Sequence, residues 1–198
     1  MLRALLLTSS LLSLPPCAAG VRGSDQGVGV VVQAGGEDAR TGTLAGTYRE
    51  VESQDKEIGR KVLAATARLE DGVREGQARA LMRILRAEPV FSVEQYGTTV
   101  VVNYPEGVRV PYEADGRTRV MRATGGESVT VRADSAGGRL TVDLTWSGGE
   151  RLRLRFERAG SDRLVLTRTA GNRNLLAPIT VESVFERVSA KPTRSFKF

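Results

Sequence analysis

Few side chains in this sequence are of the types that carry out catalysis or bind transition metals. The 198 residues include no His and one Cys, Cys17, so thiol chemistry and zinc binding lack their usual ligands. The segment Ser53-Gln54-Asp55-Lys56 fits the S-x-x-K pattern in which a Lys activates a Ser nucleophile, but the companion motifs of serine acyl-enzymes are absent. We therefore interpret Ser53 as the cap of a helix, where its hydroxyl accepts from backbone N–H groups.

The carboxylates do not form a pair suited to acid–base catalysis. Asp115, Asp134 and Asp162 lie in predicted turns, and Asp143 lies on the charged face of a predicted strand. Catalysis by paired carboxylates requires two of them to face one cavity. The sequence therefore predicts no catalytic residues, no metal site and no cofactor, which favours a protein that is not an enzyme.

Basic residues outnumber acidic ones by 29 to 23, for a formal net charge of +6. The most regular basic row is Arg151, Arg153 and Arg155, with Arg158 close by. Such a row either contacts anionic surfaces such as lipid headgroups or keeps an exposed strand soluble, and we favour solubility. No basic cluster alternates with stacking aromatic residues, so the sequence predicts no nucleic-acid partner.

The N-terminal residues have the composition of a secretory signal peptide. Residues 1–20 run from a basic start through an apolar stretch to small residues, which predicts cleavage near Ala19 or Gly20 and export to the periplasm or the extracellular space. A lipid anchor on Cys17 is the alternative, but Pro16 stands where a small residue normally precedes a lipidated Cys. No later stretch reaches the ~18 apolar residues of a membrane-spanning helix, so we expect no transmembrane segment after signal removal.

Composition divides the remaining chain into three parts. Residues 21–43 are rich in Gly, Asp, Ser and Ala and predict a flexible leader. Residues 44–188 carry the regular hydrophobic patterns of one barrel domain, and within them residues 53–88 have the apolar spacing of two amphipathic helices in a hairpin. Residues 189–198 predict a disordered basic tail.

The elements outside the hairpin are predicted to be short antiparallel strands. From Phe91 onward apolar residues alternate with polar ones, most clearly over 140–146 and 152–156, as in a sheet with one buried face. Turns rich in Gly and Asp separate the runs, and a first strand near Leu44 brings the strands to ten. The predicted fold is mainly β: a ten-stranded antiparallel up-and-down barrel with a helix-turn-helix between strands 1 and 2. The helices cover the mouth, fill part of the interior or pack outside.

Short segments support this order of elements. Leu44-Ala45-Gly46-Thr47-Tyr48 opens the domain, the hairpin 137–149 contains Trp146, and Val184-Phe185-Glu186-Arg187 ends it. In this order they resemble the intracellular lipid-binding proteins, the fatty-acid-binding branch of the calycin superfamily. The likeness covers about residues 44–188, and an exported bacterial calycin-like protein is an equally good description.

The resemblance implies a ten-stranded barrel whose two helices form a lid over an internal lipid cavity. It also marks Gly46, Tyr48 and Arg187 as a structural signature, in which an aromatic ring of the first strand packs near a basic residue of the last. Tyr48 is then either the ring of a cation–π pair with Arg187 or simply a core aromatic.

The resemblance also bears on the ligand. In that family an inward Arg and Tyr on the last strand and a second inward Arg hold a ligand carboxylate, and the corresponding positions here are Ser183, Phe185 and Phe156. A buried carboxylate would lack its partners at these positions, so we predict a neutral, apolar, lipid-like ligand. The predicted ligand-binding residues are Trp146, Leu154, Phe156, Leu166, Ser183 and Phe185. The alternative is a filled barrel without ligand, acting as a structural or protein-interaction module.

Overall fold

The structure is a computed structural model that describes residues 43–122, 126–194 and 196. The predicted signal peptide, its alternative lipid anchor at Cys17 and all of the predicted leader except residue 43 lie outside the described residues.

Ten strands and two α-helices make up the described chain. The first strand and the helices are β1 (Gly46–Glu50), α1 (Asp55–Thr66) and α2 (Asp71–Leu85). The remaining strands are β2 (Val90–Tyr96), β3 (Thr99–Asn103), β4 (Arg109–Glu113), β5 (Asp115–Arg122), β6 (Ser128–Ala136), β7 (Arg139–Trp146), β8 (Arg151–Arg158), β9 (Arg163–Gly171) and β10 (Ile179–Ser189). A single 3-10 turn, Pro105–Gly107, joins β3 to β4.

All ten strands belong to one antiparallel sheet in the order β4-β3-β2-β1-β10-β9-β8-β7-β6-β5. The sheet curls because β1 pairs with β2 on one side and with β10 on the other, so the first and last strands are neighbours. The predicted fold is confirmed: ten antiparallel strands form a nearly closed barrel, with two helices between β1 and β2.

Closure is incomplete between β4 and β5, which we call the seam. These strands follow each other through Ala114 but are the two edges of the sheet, and no ladder joins them within the described chain. β5 carries exposed basic residues, of which Arg119 forms an ion pair with Asp115 at 2.7 Å. Charged side chains of this kind discourage an edge strand from pairing with another molecule.

The core fills the inner wall because alternate residues of each strand face inward. Phe91 lies at the centre of an aromatic cluster: its ring centroid is 4.9 Å from that of Phe185, 5.6 Å from Tyr48 and 5.8 Å from Phe156. All four side chains are at most 1% exposed. Rings in offset and edge-to-face contact stabilise one another beyond the effect of burial alone.

The helical hairpin lies over one end of the barrel. The buried faces of its helices, Ile58 and Val62 of α1 and Leu81 and Leu85 of α2, join the barrel core. Polar contacts bind the hairpin to the same end, where Lys61 Nζ donates to the Thr180 carbonyl at 2.7 Å. No helix of the described chain is long and apolar enough to span a membrane.

The start of α1 differs slightly from the sequence-based expectation. Gln54, not Ser53, occupies the N-cap position, and no side chain caps it. The Ser53 hydroxyl accepts a hydrogen bond at 3.3 Å from the N–H of Asp55, the first residue of α1. A capping side chain would accept from the second or third N–H of the helix.

Residues 190–194, which belong to the predicted basic tail, lie along the outer face of β1 and β2. Ser189 belongs to β10, and the Lys191 carbonyl accepts from the Thr47 hydroxyl at 3.0 Å. Arg194 then reaches Glu94 of β2 through two hydrogen bonds of 2.8 and 2.7 Å. The disordered basic tail over residues 189–198 stays a prediction, although its described residues contact β1 and β2. We call residues 190–194 the C-terminal strap.

Candidate functional site

A cavity of about 630 Å³ lies inside the barrel, beneath α2. One side is formed by residues of α2 and the segment that follows it, including Met82, Ile84 and Ala87. The opposite side is formed by β7, β8 and β9, and the turn between β3 and β4 completes the border. Of the three arrangements predicted for the helices, the position of α2 therefore matches the one in which they cover the barrel.

The wall formed by β7, β8 and β9 is apolar because the period-two pattern places every second side chain inward. Leu144 faces Leu152 across the β7–β8 ladder, and Phe156 faces Leu166 across the β8–β9 ladder. All four side chains line the cavity. These four side chains offer apolar contacts and no hydrogen-bonding group to a molecule lying on them.

The predicted ligand-binding residues fall into two groups. Trp146, Leu154, Phe156 and Leu166 line the cavity. Ser183 and Phe185 face inward on β10, but they are completely buried and are not part of the cavity lining. The ring of Phe185 packs on Phe91, and the Ser183 hydroxyl is bonded to neighbouring side chains. That any of these six residues contacts a ligand remains a prediction.

The signature residues lie together where β1 meets β10. Tyr48 and Arg187 are opposite each other in the ladder. The Tyr48 hydroxyl donates to the Leu44 carbonyl at 2.8 Å, and its ring stacks on Phe91, which favours a core aromatic. Burial raises the pKa of Tyr48, and the charges of Arg187 and Arg158 partly oppose this shift.

Gly46 allows the close approach of β10 at this position. A Cβ atom on Gly46 would lie 2.6 Å from Arg187 Nε and 2.9 Å from the Ser189 carbonyl oxygen. Its φ of 154° is also one that side-chain-bearing residues rarely adopt. With no side chain at position 46, Arg187 Nη2 reaches the Ala45 carbonyl at 2.5 Å.

A fully buried charged residue of the cavity was not anticipated from the sequence. Arg168 on β9 is 1% exposed and lines the cavity. The sequence contained a signal for this position, because Arg168 falls in the same alternating series as Leu164 and Leu166, which face inward. The prediction of a neutral ligand rests on positions 156, 183 and 185, and Arg168 supplies a cation from the neighbouring strand β9.

Arg168 belongs to a chain of hydrogen bonds across β9, β10 and β1. Its Nη2 donates to the Ser183 hydroxyl at 2.6 Å, and that hydroxyl donates to Glu50 Oε1 at 2.7 Å. Burial lowers the pKa of Arg168 to about 10, against the opposing effect of the Glu50 and Asp55 charges. The guanidinium therefore stays charged at neutral pH.

Acidic residues lie at the border of the cavity. Glu88 and Glu106 both contribute to its lining. Burial, with a smaller contribution from the charge of Glu106, raises the pKa of Glu88. Burial also raises the pKa of Tyr104, where Glu88 adds to the shift and Arg168 opposes it. Tyr104 is therefore close enough to both a carboxylate and a guanidinium to interact with their charges.

The basic row of β8 lies on the outer face, away from the cavity. Arg151, Arg153 and Arg155 are exposed, and the leucines between them face inward. Arg153 Nε lies 2.6 Å from Asp143 Oδ1, and Arg155 Nη2 lies 2.5 Å from Glu157 Oε2. This pairing agrees with a solvated strand face. Within residues 43–122, 126–194 and 196, no group of three or more His, Cys, Asp or Glu side chains is placed to hold a metal ion.

Comparison with known proteins supports the fold. No protein-family model and no curated protein sequence matches this chain. Among solved structures it is similar to a luciferase domain from the dinoflagellate Lingulodinium polyedrum, with a TM-score of 0.51 and 12% identity over 80% of this chain. The match covers 45% of the luciferase chain, so this protein spans less than half its length.

A second similar structure is secretory abundant heat soluble protein 4 from Ramazzottius varieornatus. Its TM-score is 0.47 and its identity 11%, over 74% of this chain and 96% of that one. At identities this low, a structural likeness shows the fold and not the activity. The fold of this chain, a nearly closed ten-stranded antiparallel barrel with two helices between β1 and β2, is therefore similar to that of the luciferase domain.

Proposed function

We propose that this protein binds a small, apolar, lipid-like molecule inside its barrel and does not catalyse a reaction. The observation that carries the proposal is the cavity of about 630 Å³, a volume within the range of about 300–1,000 Å³ typical of small-molecule sites. Most of the residues that β7, β8 and β9 contribute to its lining are apolar. A cavity of this volume also argues against the alternative, in which the barrel is filled by its own side chains.

The proposed entrance lies between the C-terminal half of α2 and the turn at Pro105–Gly107, since residues of both border the cavity. Arg79, Arg83 and Arg86 line this side from the helix and its C-terminus. Arg86 is held by an ion pair with Asp55 at 3.0 Å. In this proposal the ligand enters between the charged residues at the border, and its apolar chain then lies against the apolar wall.

Calorimetry with 1-dodecanol tests the proposal, because this probe has an apolar chain and no charge. We expect saturable binding with one molecule per chain. The variant Leu154→Trp places a larger side chain in the cavity wall and is expected to weaken binding at least about tenfold, by occupying the space of the ligand. Val120→Trp is the matched control, because Val120 is 71% exposed on β5, and it should bind as the wild type does.

Native mass spectrometry of the purified protein provides an independent measurement. A co-purifying molecule with an apolar chain, displaced by added 1-dodecanol, would support the proposal. A bare mass together with no heat of binding for neutral, anionic or cationic probes of this chain length would refute it.

We further propose that the protein is exported and belongs among bacterial calycin-like proteins related to the lipid-binding branch. The support is the composition of residues 1–20 and the order of motifs over residues 44–188. Sequencing the N-terminus of protein recovered from the periplasm after expression of the full chain tests export. A start after Ala19 or Gly20 supports the proposal, and a lipidated N-terminal Cys17 would show the anchor instead.

A further inference from the structure

The guanidinium of Arg168 lacks hydrogen-bond acceptors for two of its nitrogens. Nη2 donates to Ser183, but Nε and Nη1 are buried and find no acceptor within the described chain. An Arg side chain carries five N–H donors, and leaving them unpaired away from water is costly. The side chain is 1% exposed and borders the cavity, so an acceptor could reach these donors from inside the barrel.

The neighbouring acid does not neutralise Arg168 by direct contact. Glu50 is connected to it through the Ser183 hydroxyl, which gives its proton to Glu50 at 2.7 Å and accepts from Arg168 at 2.6 Å. Glu50 therefore orients the Ser183 hydroxyl as an acceptor for Nη2 of Arg168. The two free nitrogens remain available for a second acceptor.

The surroundings of Arg168 define what kind of molecule would supply that acceptor. Leu166 precedes it by two residues on the same face of β9, and Phe156 lies across the ladder from Leu166. A molecule that contacted Arg168 and this wall would need an anionic end and an apolar body. Tyr104, whose pKa responds to Arg168, adds a hydroxyl at the border of the same cavity.

We propose that Arg168 is an anion-binding residue of the cavity and that the ligand is an amphipathic molecule with an apolar chain and one carboxylate or similar oxyanion at its buried end. The inference rests on the proposed function, since it concerns the same cavity. It places the cation on β9, whereas the sequence resemblance pointed to positions on β8 and β10. Ser183, predicted to contact the ligand, would instead orient Arg168.

The test compares three probes that share a twelve-carbon chain and differ in charge: dodecanoate, 1-dodecanol and dodecyltrimethylammonium. Affinities are measured by calorimetry at pH 8, below the micelle concentrations of dodecanoate and dodecyltrimethylammonium and below the solubility limit of 1-dodecanol. A charge-assisted hydrogen bond in a buried site predicts that wild-type protein binds dodecanoate about 10- to 100-fold more tightly than 1-dodecanol. Dodecyltrimethylammonium should bind most weakly.

Two variants assign the preference to a residue. Arg168→Met keeps an unbranched apolar stem and should abolish the preference for dodecanoate while leaving 1-dodecanol binding within about threefold. Arg83→Met removes a cation from the α2 side of the cavity and should retain the preference. If Arg168→Met does not fold, the ranking of the three probes by the wild type still decides whether the site selects an anion.

The outcomes separate the two proposals. Equal affinity for dodecanoate and 1-dodecanol would overturn the anion site and leave apolar binding intact. Loss of the preference in Arg83→Met but not in Arg168→Met would also overturn it, by moving the cation to the entrance. No binding of any probe would overturn the proposed function, and the anion site with it.

Discussion

The C-terminal strap makes a prediction that can be worked out in detail from its ion pair. Arg194 donates two hydrogen bonds to Glu94, whose side chain is 4% exposed on the outer face of β2. Asn103 donates a third at 2.9 Å, and the Tyr96 hydroxyl donates a fourth. Replacing Arg194 by Met would remove the main countercharge from an almost buried carboxylate.

The expected loss is moderate because the pair is only partly shielded from water. Hydrogen bonds to charged groups contribute about 1.5–3 kcal/mol, but the Arg194 side chain is 60% exposed, and solvent weakens such a pair. Asn103 and Tyr96 would still donate to Glu94 in the variant. We expect Arg194→Met to lower the free energy of unfolding at pH 7 by about 1–2 kcal/mol.

The pH dependence follows from the direction of the pKa shift. Arg194, aided by Tyr96 and Asn103, lowers the pKa of Glu94 to about 2, against about 4.3 for an unfolded Glu. Because the folded pKa is the lower one, this contribution is complete well above pH 4.3 and is lost as the pH falls toward 2. The difference between wild type and Arg194→Met should therefore shrink across this window.

Urea unfolding followed by circular dichroism at pH 7 and pH 2.5 measures both effects. Arg132→Met is the matched control, because Arg132 is exposed on β6 and forms no ion pair with any of the residues that the structure describes. At pH 7, agreement between the two variants within about 0.5 kcal/mol would refute the idea that this pair holds the strap. A difference from wild type that stays constant down to pH 2.5 would refute its electrostatic origin.

Two further substitutions test the barrel itself. Gly46→Ala should lower the free energy of unfolding by about 1–3 kcal/mol, because the new Cβ would lie 2.6 Å from Arg187 Nε. The control is Gly97→Ala, since Gly97 has a φ of 58° but open space around it, and urea unfolding should show a smaller loss for this variant. Equal losses in the two variants would contradict the steric explanation. Phe91→Ala should cost about 3–5 kcal/mol, since it removes the centre of the aromatic cluster. Thermal unfolding measures this against Leu176→Ala, an 83% exposed control, and a melting temperature equal to that of the control would show that the cluster does not stabilise the fold.

The barrel was predictable because each strand is specified by an alternation of apolar and polar residues within a short segment of sequence. In 140–146 and again in 152–156 every second residue is apolar and the residues between are charged or polar, a pattern that indicates strands with one buried face. The helical hairpin was predictable for the same reason, from a period of 3.6 residues. Which strands become neighbours follows from the short connections, since consecutive antiparallel strands usually pair.

The candidate site was predictable only in part. Trp146, Leu154, Phe156 and Leu166 line the cavity as the alternation indicated, because inward parity was sufficient to place them. Parity does not distinguish a residue beside empty space from one packed against another side chain, so Phe185 was expected at the cavity although its ring packs on Phe91.

The polar contacts were harder to foresee because they join distant parts of the chain. Arg168 belongs to the inward-facing series of its strand, but the family resemblance assigns carboxylate binding to positions 156, 183 and 185 and not to position 168. The pair between Glu94 and Arg194 links residues 100 positions apart, and nothing in the composition of either segment identifies the other as its partner. Interactions between single side chains across a fold leave no periodic trace in the sequence.

The seam between β4 and β5 has a consequence for how the interior adapts to its contents. In a barrel with a continuous ladder, backbone hydrogen bonds determine the circumference, so the lumen can widen only by breaking them. Here β4 is an edge of the sheet, and Val110 and Tyr112 on its inner face line the cavity. We therefore expect this part of the wall to move more easily than a wall closed by a ladder, and if the cavity binds a ligand, we expect Val110 and Tyr112 to limit the size of that ligand.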